Sequence, residues 1–508
     1  MQNEGSVYDS KRRFVGITLR FSALILLLSG AAIWESLQLH SFQNPDIWGH
    51  LRTGTWILEN KSWPETGIFS QAANHCWRDF SWGYDVLLAA GYWLWGLRVI
   101  PACLMVFRVA FAAVTFLLAG GKRNFWTAVA LSSMAQYILA GSDANPAGVS
   151  VLFFGIELLC LLTALRTAKR TLLFVLPLLF LLWANLDLGF VYGVGLYLLF
   201  FIALLPVPGP AGRWQGSQRS PAKTLIGAAP VVGGLCIMAT FVNPYGYHPY
   251  SALLASQSSA VNIYLADHAA MRFHQPQDYV LLLLAMTAFV CFGMRRSVDL
   301  FQIIVLVGSM ALAFHSQRDN WLLVLAATAC MGKSMLATRE PFAQLASRWS
   351  LQEIMGLVTS VAVVALAFEM WIPRQPALLW TEVAQRFPVR ASNYIRQHSL
   401  PVPLFNSYSW GSFLTWYLPE YPVAIDGRRG LYADDEAVNY FRVMKADIPY
   451  RGYSPMSLAR TLLLNKTEVM AEALRSLPGF QVAYEDEISI VLLQDRPNNE
   501  RGQWWLTK

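Results

Sequence analysis

Residues 44–54 read Asn44-Pro45-Asp46-Ile47-Trp48-Gly49-His50-Leu51-Arg52-Thr53-Gly54. They follow the first long apolar segment of the chain and open a polar loop rich in tryptophan. The stretch therefore places the Asp46 carboxylate where a predicted membrane helix meets water. A carboxylate there is costly unless it is solvated or paired, so Asp46 is a candidate functional residue. In the alternative interpretation, Asp46 only caps a helix that begins at Ile47.

The composition indicates a membrane protein. Of the 508 residues, 55% are hydrophobic and only 14% are charged, whereas a soluble protein has about a quarter charged residues. Apolar runs long enough to cross a bilayer recur along the chain. The formal charge is +7, but the basic residues fall in short clusters between apolar runs. That arrangement is typical of membrane topology and argues against a nucleic-acid partner.

The positions of these clusters predict the topology. Residues 1–13 are basic and should stay in the cytoplasm, so that the segment Phe14–Leu39 runs outward. The apolar stretch Asp85–Trp95 is too short to cross, and we interpret it as an interfacial helix within a first extracytoplasmic loop, residues 40–98. Nearly every later basic cluster then lies on the cytoplasmic side. The result is a polytopic α-helical transmembrane domain, residues 14–372, with about 11 crossings.

Residues 373–508 are more polar and predict a soluble extracytoplasmic α/β domain, because short strands alternate with helical stretches. The predicted strands are Val402–Asn406, Pro422–Asp426 and Thr461–Leu464, followed by a closing hairpin over Gln481–Glu485 and Ile488–Gln494. The predicted helices are Ser409–Leu418, Glu436–Lys445 and Thr467–Leu477. Asp426 and Arg428 follow a predicted strand, at an edge of the sheet where ligands often bind. The expected role of Asp426 is a structural ion pair with Arg428 or Arg429.

Acidic, basic and histidine side chains gather on the predicted outer face. Asp46 could act as a general base. His50, four residues further on, could orient Asp46 or share a metal with it, although one Asp and one His are too few ligands to predict a metal site. The role that we expect for His50 is structural, with a hydrogen bond to a backbone carbonyl. The other candidates for substrate binding are the cations Arg52 and Arg318, which suit phosphate, and the carboxylates Asp143 and Asp187. Their alternative roles are salt bridges, lipid headgroup contacts and loop caps.

Several motifs together resemble the GT-C class of integral membrane glycosyltransferases, which use polyprenyl-phosphate sugars, and most closely a group of uncharacterised bacterial proteins of that kind. The motifs are P-D-x-W-x-H-L-x-x-G, I-P-x-x-x-x-F-S, W-A-N-x-H-G, N-P-Y-G, F-N-x-Y-x-W-G-x-x-L and I-D-G-R. They match Pro45–Gly54, Trp63–Ser70, Trp183–Gly189, Asn243–Gly246, Phe405–Leu414 and Ile425–Arg428. The resemblance implies that Asp46 is the catalytic base and that an arginine binds the lipid-linked phosphate.

The predicted function is transfer of a sugar, with inversion, from a polyprenyl-phosphate donor to a lipid, glycan or protein acceptor. The reaction would occur on the outer face of the bacterial cytoplasmic membrane, with membrane lipids as neighbours. A requirement for a divalent cation stays open. The alternative function is an inactive GT-C-like scaffold that binds a lipid or a partner. A transporter ranks last, because the helix interiors are nearly free of charge apart from residues such as Arg108.

Overall fold

The structure is a computed structural model. It describes residues 19–20, 22–30, 42, 44–139, 144–205, 224–257, 260–264, 269–294, 299–337, 351–372 and 375–495. Contacts divide the chain into two compact units. Unit 1 comprises residues 1–40, 101–243 and 267–374, and unit 2 comprises residues 41–100, 244–266 and 375–508. The predicted first loop therefore belongs to the same unit as the C-terminal residues.

Unit 2 begins with two helices, α1 (Asp46–Asn60) and α2 (Trp82–Trp95). Helix α2 ends at Gly96, whose φ of 59° is a left-handed value that favours glycine. A 3₁₀ turn, Gly96–Arg98, then leads into α3 (Val99–Leu118), which continues into unit 1. The helical stretch expected at Asp85–Trp95 is present as α2.

Unit 1 is helical throughout its described part. After α3 it contains α4 (Phe125–Ile138), α5 (Pro146–Thr167), α6 (Leu176–Leu186), α7 (Phe190–Leu204), α8 (Ala229–Thr240), α10 (Pro276–Gly293), α11 (Leu300–His315), α12 (Asn320–Ala337) and α13 (Leu351–Trp371), while α9 (His248–Gln257) belongs to unit 2.

Among the described residues, three helical stretches are long and apolar enough to cross a membrane. They are Trp82–Leu118, Pro146–Thr167 and Pro276–Gly293. Five further apolar helices of 10–17 residues accompany them. Large apolar side chains such as Leu283, Met286 and Val290 of α10 are exposed, which fits a surface that contacts lipid. The number of about 11 crossings stays a prediction, and the first predicted crossing lies mostly outside the described residues.

The C-terminal part of unit 2 is an α/β fold around a four-stranded sheet of order β1-β2-β4-β3. The strands are β1 (Leu404–Asn406), β2 (Thr461–Asn465), β3 (Phe480–Glu485) and β4 (Ser489–Gln494), and the helices are α14 (Pro376–Ala384), α15 (Val389–Gln397), α16 (Tyr408–Tyr417), α17 (Asp434–Met444), α18 (Ser454–Ser457) and α19 (Val469–Arg475). Strand β1 is parallel to β2, and the other two pairings are antiparallel.

Burial follows strand position in this sheet. The central strand β2 is buried along Thr461–Leu464, because helices and the neighbouring strands enclose it, whereas β3 at the edge is half exposed. The predicted strands and helices of this region are present with ends shifted by a few residues, with one exception. Residues 422–426 do not form a strand, and Val423 makes only an isolated bridge with Ser70.

The side chain of Asn406 explains why residues 422–426 resemble a strand without being one. Its Oδ1 accepts from the backbone N–H of Ala424 at 2.9 Å, and its Nδ2 donates to the carbonyl of Ile425 at 2.8 Å. One side-chain amide therefore takes the backbone partners that a neighbouring strand would supply. The segment stays extended and buried, and it ends at the Asp426–Arg428 loop.

Candidate active site

Helix α1 begins at Asp46 itself, so the expectation that Asp46 caps a helix starting at Ile47 is wrong. The residue at the cap position is Pro45, which offers no side-chain hydrogen bond. Instead, Oδ1 of Asn44 accepts from the backbone N–H of Asp46 at 2.8 Å. The side chain of Asn44 therefore provides the hydrogen bond at the start of the helix. Asp46 occupies the first position of the helix and is exposed.

Trp48 fixes the orientation of α1. It is fully buried and contacts four aromatic rings at centroid distances between 4.8 and 6.2 Å, which belong to Phe42, Phe387, Phe413 and Trp416. Two of these residues lie on α16. Because Trp48 is turned into this cluster, Asp46 two residues earlier points away from it along the helix.

Two glycines of α1 allow close helix packing. A Cβ built on Gly54 would overlap the backbone carbonyl of Asp85, so α1 and α2 touch backbone to backbone there. A Cβ on Gly49 would lie 3.4 Å from Ser412 on α16, which is an ordinary contact. Helix α1 is thus held between α2 on one side and α16 on the other.

His50 lies on this helix and bonds a carboxylate, so the expectation of a backbone carbonyl partner is wrong. Its Nδ1 is 2.8 Å from Oδ1 of Asp85, which is 1% exposed, while the His50 side chain is 23% exposed. Asp79 lies in the preceding loop, is also buried, and accepts from the backbone N–H of Ser81 at 3.0 Å. The three groups form a buried acid–histidine cluster behind Asp46.

Electrostatics in this cluster favour a charged histidine. Burial opposes the imidazolium, but the Asp85 charge and hydrogen bond outweigh it, with further attraction from Asp79 and Asp46, and the pKa of His50 is raised to about 9. Burial, followed by the neighbouring Asp85 charge, raises the pKa of Asp79 well above its ordinary value. The cluster therefore favours an imidazolium on His50 beside the carboxyl group of Asp85, whereas burial favours the neutral form of Asp79.

The Asp46 carboxylate lies against the loop that follows residues 422–426. A Cβ built on Gly427 would collide with Oδ1 of Asp46 and would lie 3.3 Å from Oγ of Ser412. The backbone N–H of Gly427 is itself 3.4 Å from that hydroxyl oxygen. A glycine is needed here because any side chain would occupy the position of the carboxylate.

Two arginines share an aromatic ring beside this loop. The guanidinium carbon of Arg52 is 5.0 Å from the ring centre of Phe69, and that of Arg428 is 5.3 Å from it. Arg428 also stacks on Trp77 at 4.9 Å. Nε of Arg52 and Nη1 of Arg428 are buried and make no well-formed hydrogen bond. Two guanidinium groups with spare donors, stacked on one ring, can bind a phosphate.

The predicted ion pair between Asp426 and Arg428 is present. Nη2 of Arg428 donates to Oδ2 of Asp426 at 2.8 Å, and Nε contacts both carboxylate oxygens. Burial disfavours the guanidinium charge, but Asp426 outweighs it, so the pKa of Arg428 is raised. Gly411 of α16 packs directly on the backbone of this segment. The pair therefore holds Arg428 in place beside Phe69 and Trp77.

Burial also affects Arg52, whose pKa it lowers, against the opposing influence of Glu59. The group nevertheless stays protonated at any physiological pH. Three of the candidate residues from the sequence, Asp46, His50 and Arg52, lie on helix α1 in unit 2.

Asp187 and Arg318 belong to unit 1. Asp187 follows the end of α6, and its Oδ2 accepts from Ser150 Oγ and, at 2.9 Å, from the backbone N–H of Gly189. Trp183 completes the network by donating to Ser150 at 2.7 Å. These contacts describe a structural carboxylate that ties α5, α6 and α7 together.

Arg318 lies in a 3₁₀ turn, Gln317–Asp319, beside a residue that the sequence analysis did not single out. Asp319 accepts from the hydroxyl of Tyr192 at 2.7 Å, and both Arg318 and Asp187 act electrostatically on that tyrosine. The predicted site residue Asp143 lies outside the described residues.

Three further residues of unit 2 belong to the site and were not predicted from the sequence, namely Ser412, Phe69 and Gly427. The motifs that contain them were visible, but nothing in their spacing indicated contact with α1. Glu157 of α5, a completely buried carboxyl group in an apolar helix, was also not predicted, so the helix interiors hold one more ionisable residue than expected. The described residues contain no group of three or more His, Cys, Asp or Glu side chains placed to hold a metal ion.

Comparison with known proteins gives structural matches alone. No protein-family model matches the chain, and no curated protein sequence matches it. The structure of ArnT from Cupriavidus metallidurans bound to undecaprenyl phosphate aligns with 94% of this chain and 97% of its own, at 12% identity and a TM-score of 0.49. The Archaeoglobus fulgidus oligosaccharyltransferase in the apo form aligns with 88% of this chain and 69% of its own, also at 12% identity and a TM-score of 0.49.

Both matched proteins are GT-C glycosyltransferases, the class that the sequence motifs resemble. Similarities at these scores and identities carry no argument about the substrate, the mechanism or the site residues of this chain.

Proposed function

We propose that the chain is a glycosyltransferase that moves a sugar from a polyprenyl-phosphate donor to a hydroxyl acceptor at the outer surface of a cytoplasmic membrane. The observation that carries this proposal is the assembly around Asp46. An exposed carboxylate lies against Gly427, and the next residue, Arg428, shares the ring of Phe69 with Arg52. A base and two cations from distant parts of the sequence thus meet in one unit.

The chemistry of this assembly suits an inverting transfer. Asp46 would accept the proton of the acceptor hydroxyl while that oxygen forms a bond to the anomeric carbon of the sugar. The bond between that carbon and the phosphate oxygen breaks at the same time, and polyprenyl phosphate leaves as an anion. Arg52 and Arg428 would stabilise the charge that develops on the phosphate. The acceptor can be a lipid, a glycan or a protein.

A substitution of Asp46 tests the proposal. In the full chain, reconstituted in nanodiscs, Asp46→Asn removes the base but keeps the size and shape of the side chain. We expect sugar transfer from undecaprenyl-phosphate-linked donors to fall by about 10²- to 10⁴-fold. Binding of undecaprenyl phosphate should stay within about threefold of wild type, because the arginines are unchanged.

Asp435→Asn is the matched control, because Asp435 is also an exposed acid in the first turn of a helix of unit 2. It should transfer at the wild-type rate. Full activity in Asp46→Asn would refute the role of Asp46. A wild-type chain that binds undecaprenyl phosphate but transfers no sugar to any lipid, glycan or peptide acceptor would favour the alternative function, an inactive lipid-binding scaffold.

A further inference from the structure

The cluster of His50, Asp85 and Asp79 takes no direct part in the proposed sugar transfer. It is nevertheless built from three ionisable side chains, and burying such groups is costly unless they are paired. Asp85 is 1% exposed and Asp79 is 5% exposed, while the His50 side chain retains 23% exposure. The histidine is therefore the one member of the cluster with an open side.

His50 and Asp46 share one face of helix α1. The two residues are four positions apart on α1, so their side chains project from the same face, about one turn apart. Nδ1 of His50 is occupied by Asp85 at 2.8 Å, which fixes the ring and leaves Nε2 for the opposite side. Asp46 is among the charges that act on His50.

We infer that His50 is a positioning residue, whose imidazolium, anchored by Asp85, keeps the Asp46 carboxylate ionised and ready to accept a proton. This inference rests on the proposed role of Asp46 as the base. His50 does not take the proton itself in this scheme, because its ring already carries one on each nitrogen. Asp85 supplies the anchor, and Asp79 lies beside it in the buried cluster.

The surroundings of His50 contain few other charges that could change this balance. Helix α2 contributes Asp85 and the ring of Tyr84, at a centroid distance of 5.6 Å, and the preceding loop contributes Asp79. Helix α1 contributes Asp46. Helix α16, which packs on the other side of α1, has no charged residue. The pKa of about 9 for His50 means that the imidazolium persists through neutral pH.

The test measures ionisation directly in the full chain in nanodiscs and does not require transfer activity. Nitrogen NMR of ¹⁵N-histidine follows the 8 histidines of the chain, and His50→Asn identifies the signal of His50. We expect His50 to titrate near pH 9 in wild type and closer to its ordinary value of 6.5 in Asp85→Asn. A wild-type His50 that titrates at or below 6.5 would overturn the inference.

The second measurement is the titration of Asp46, followed with ¹³C-labelled aspartate and identified with Asp46→Asn. His50→Asn keeps an N–H that can donate to Asp85 but removes the charge. We expect the pKa of Asp46 to rise by about one pH unit in this variant, as for loss of a cation one turn away. An unchanged Asp46 titration would mean that His50 only joins α1 to α2, and the inference would be wrong.

The two proposals can fail separately. If Asp46 is the base, the acid limb of kcat/KM should move to higher pH by the same amount in His50→Asn, with the high-pH plateau retained. A uniform loss at every pH would indicate a structural role for His50 alone and would overturn the inference. Failure of Asp46 as base would instead appear as undiminished transfer by Asp46→Asn.

Discussion

The substitution Gly54→Ala should separate α1 from α2. A Cβ at this position would overlap the backbone carbonyl of Asp85 and would lie 3.0 Å from Cβ of Ala89. A backbone group cannot rotate out of the way as a side chain can, so the helices have to move apart. The hydrogen bond between His50 and Asp85 lies one turn away and would be stretched by the same movement.

The magnitude follows from opposing contributions. Replacing glycine by alanine inside a helix stabilises it by about 1 kcal/mol. Overpacking at a close contact costs about 1–3 kcal/mol, and weakening a hydrogen bond to a charged group costs up to about 1.5–3 kcal/mol. Gly49→Ala is the matched control on the same helix, because its Cβ meets Ser412 at an ordinary 3.4 Å. The two variants should differ by about 2–5 kcal/mol in local stability.

Hydrogen–deuterium exchange of the full chain in detergent measures this local stability, with peptides that cover α1 and α2. Exchange in Gly54→Ala should be at least about 30-fold faster than in Gly49→Ala, since about 1.4 kcal/mol corresponds to a factor of ten. Gly49→Ala should exchange at the wild-type rate or more slowly. Equal exchange in the two variants would refute the close approach of α1 to α2.

Three further predictions concern unit 2. Gly427→Ala should push the Asp46 carboxylate back by about 1 Å and lower transfer about 100-fold, whereas Gly452→Ala, with nothing within 4 Å of its Cβ, should leave transfer rates unchanged. Burial raises the pKa of Glu468 from 4.5 to about 7, so the folded state binds this proton more tightly than the unfolded state does. The stability measured by thermal unfolding should therefore fall as the pH rises from 4.5 to above 7, and Glu468→Gln should remove that fall. Trp48→Ala should destabilise α1 and its aromatic cluster by about 3–5 kcal/mol, measured by exchange of α16 peptides, and protection equal to wild type would contradict the packing.

Local sequence patterns predicted much of unit 2. Alternating strands and helices in residues 373–508 predicted an α/β fold, because strand and helix periodicities differ and turn residues separate them. The extended segment at residues 422–426 was predicted as a strand, and its composition is indeed that of one. Its hydrogen-bond partner is the side chain of Asn406, and no local pattern distinguishes a side-chain partner from a strand.

The interpretation of His50 was limited in the same way. Its spacing from Asp46 placed both residues on one helical face, which is a local property of α-helices. Its partner, Asp85, lies on another helix, and the choice of that partner depends on the close approach at Gly54. The predicted backbone carbonyl was wrong because contacts between helices are set by packing, which the sequence of one helix does not contain.

The sequence by itself determined that a helix begins near Asp46, that apolar helices recur in the first part of the chain, and that a small α/β fold follows. These features depend on interactions between residues close in sequence. The tertiary structure alone decided that Gly427 lies against Asp46 and that Arg428 shares the ring of Phe69 with Arg52. Such contacts join segments distant in sequence, and they form only because burial of Trp48 and its aromatic neighbours fixes α1 against α16.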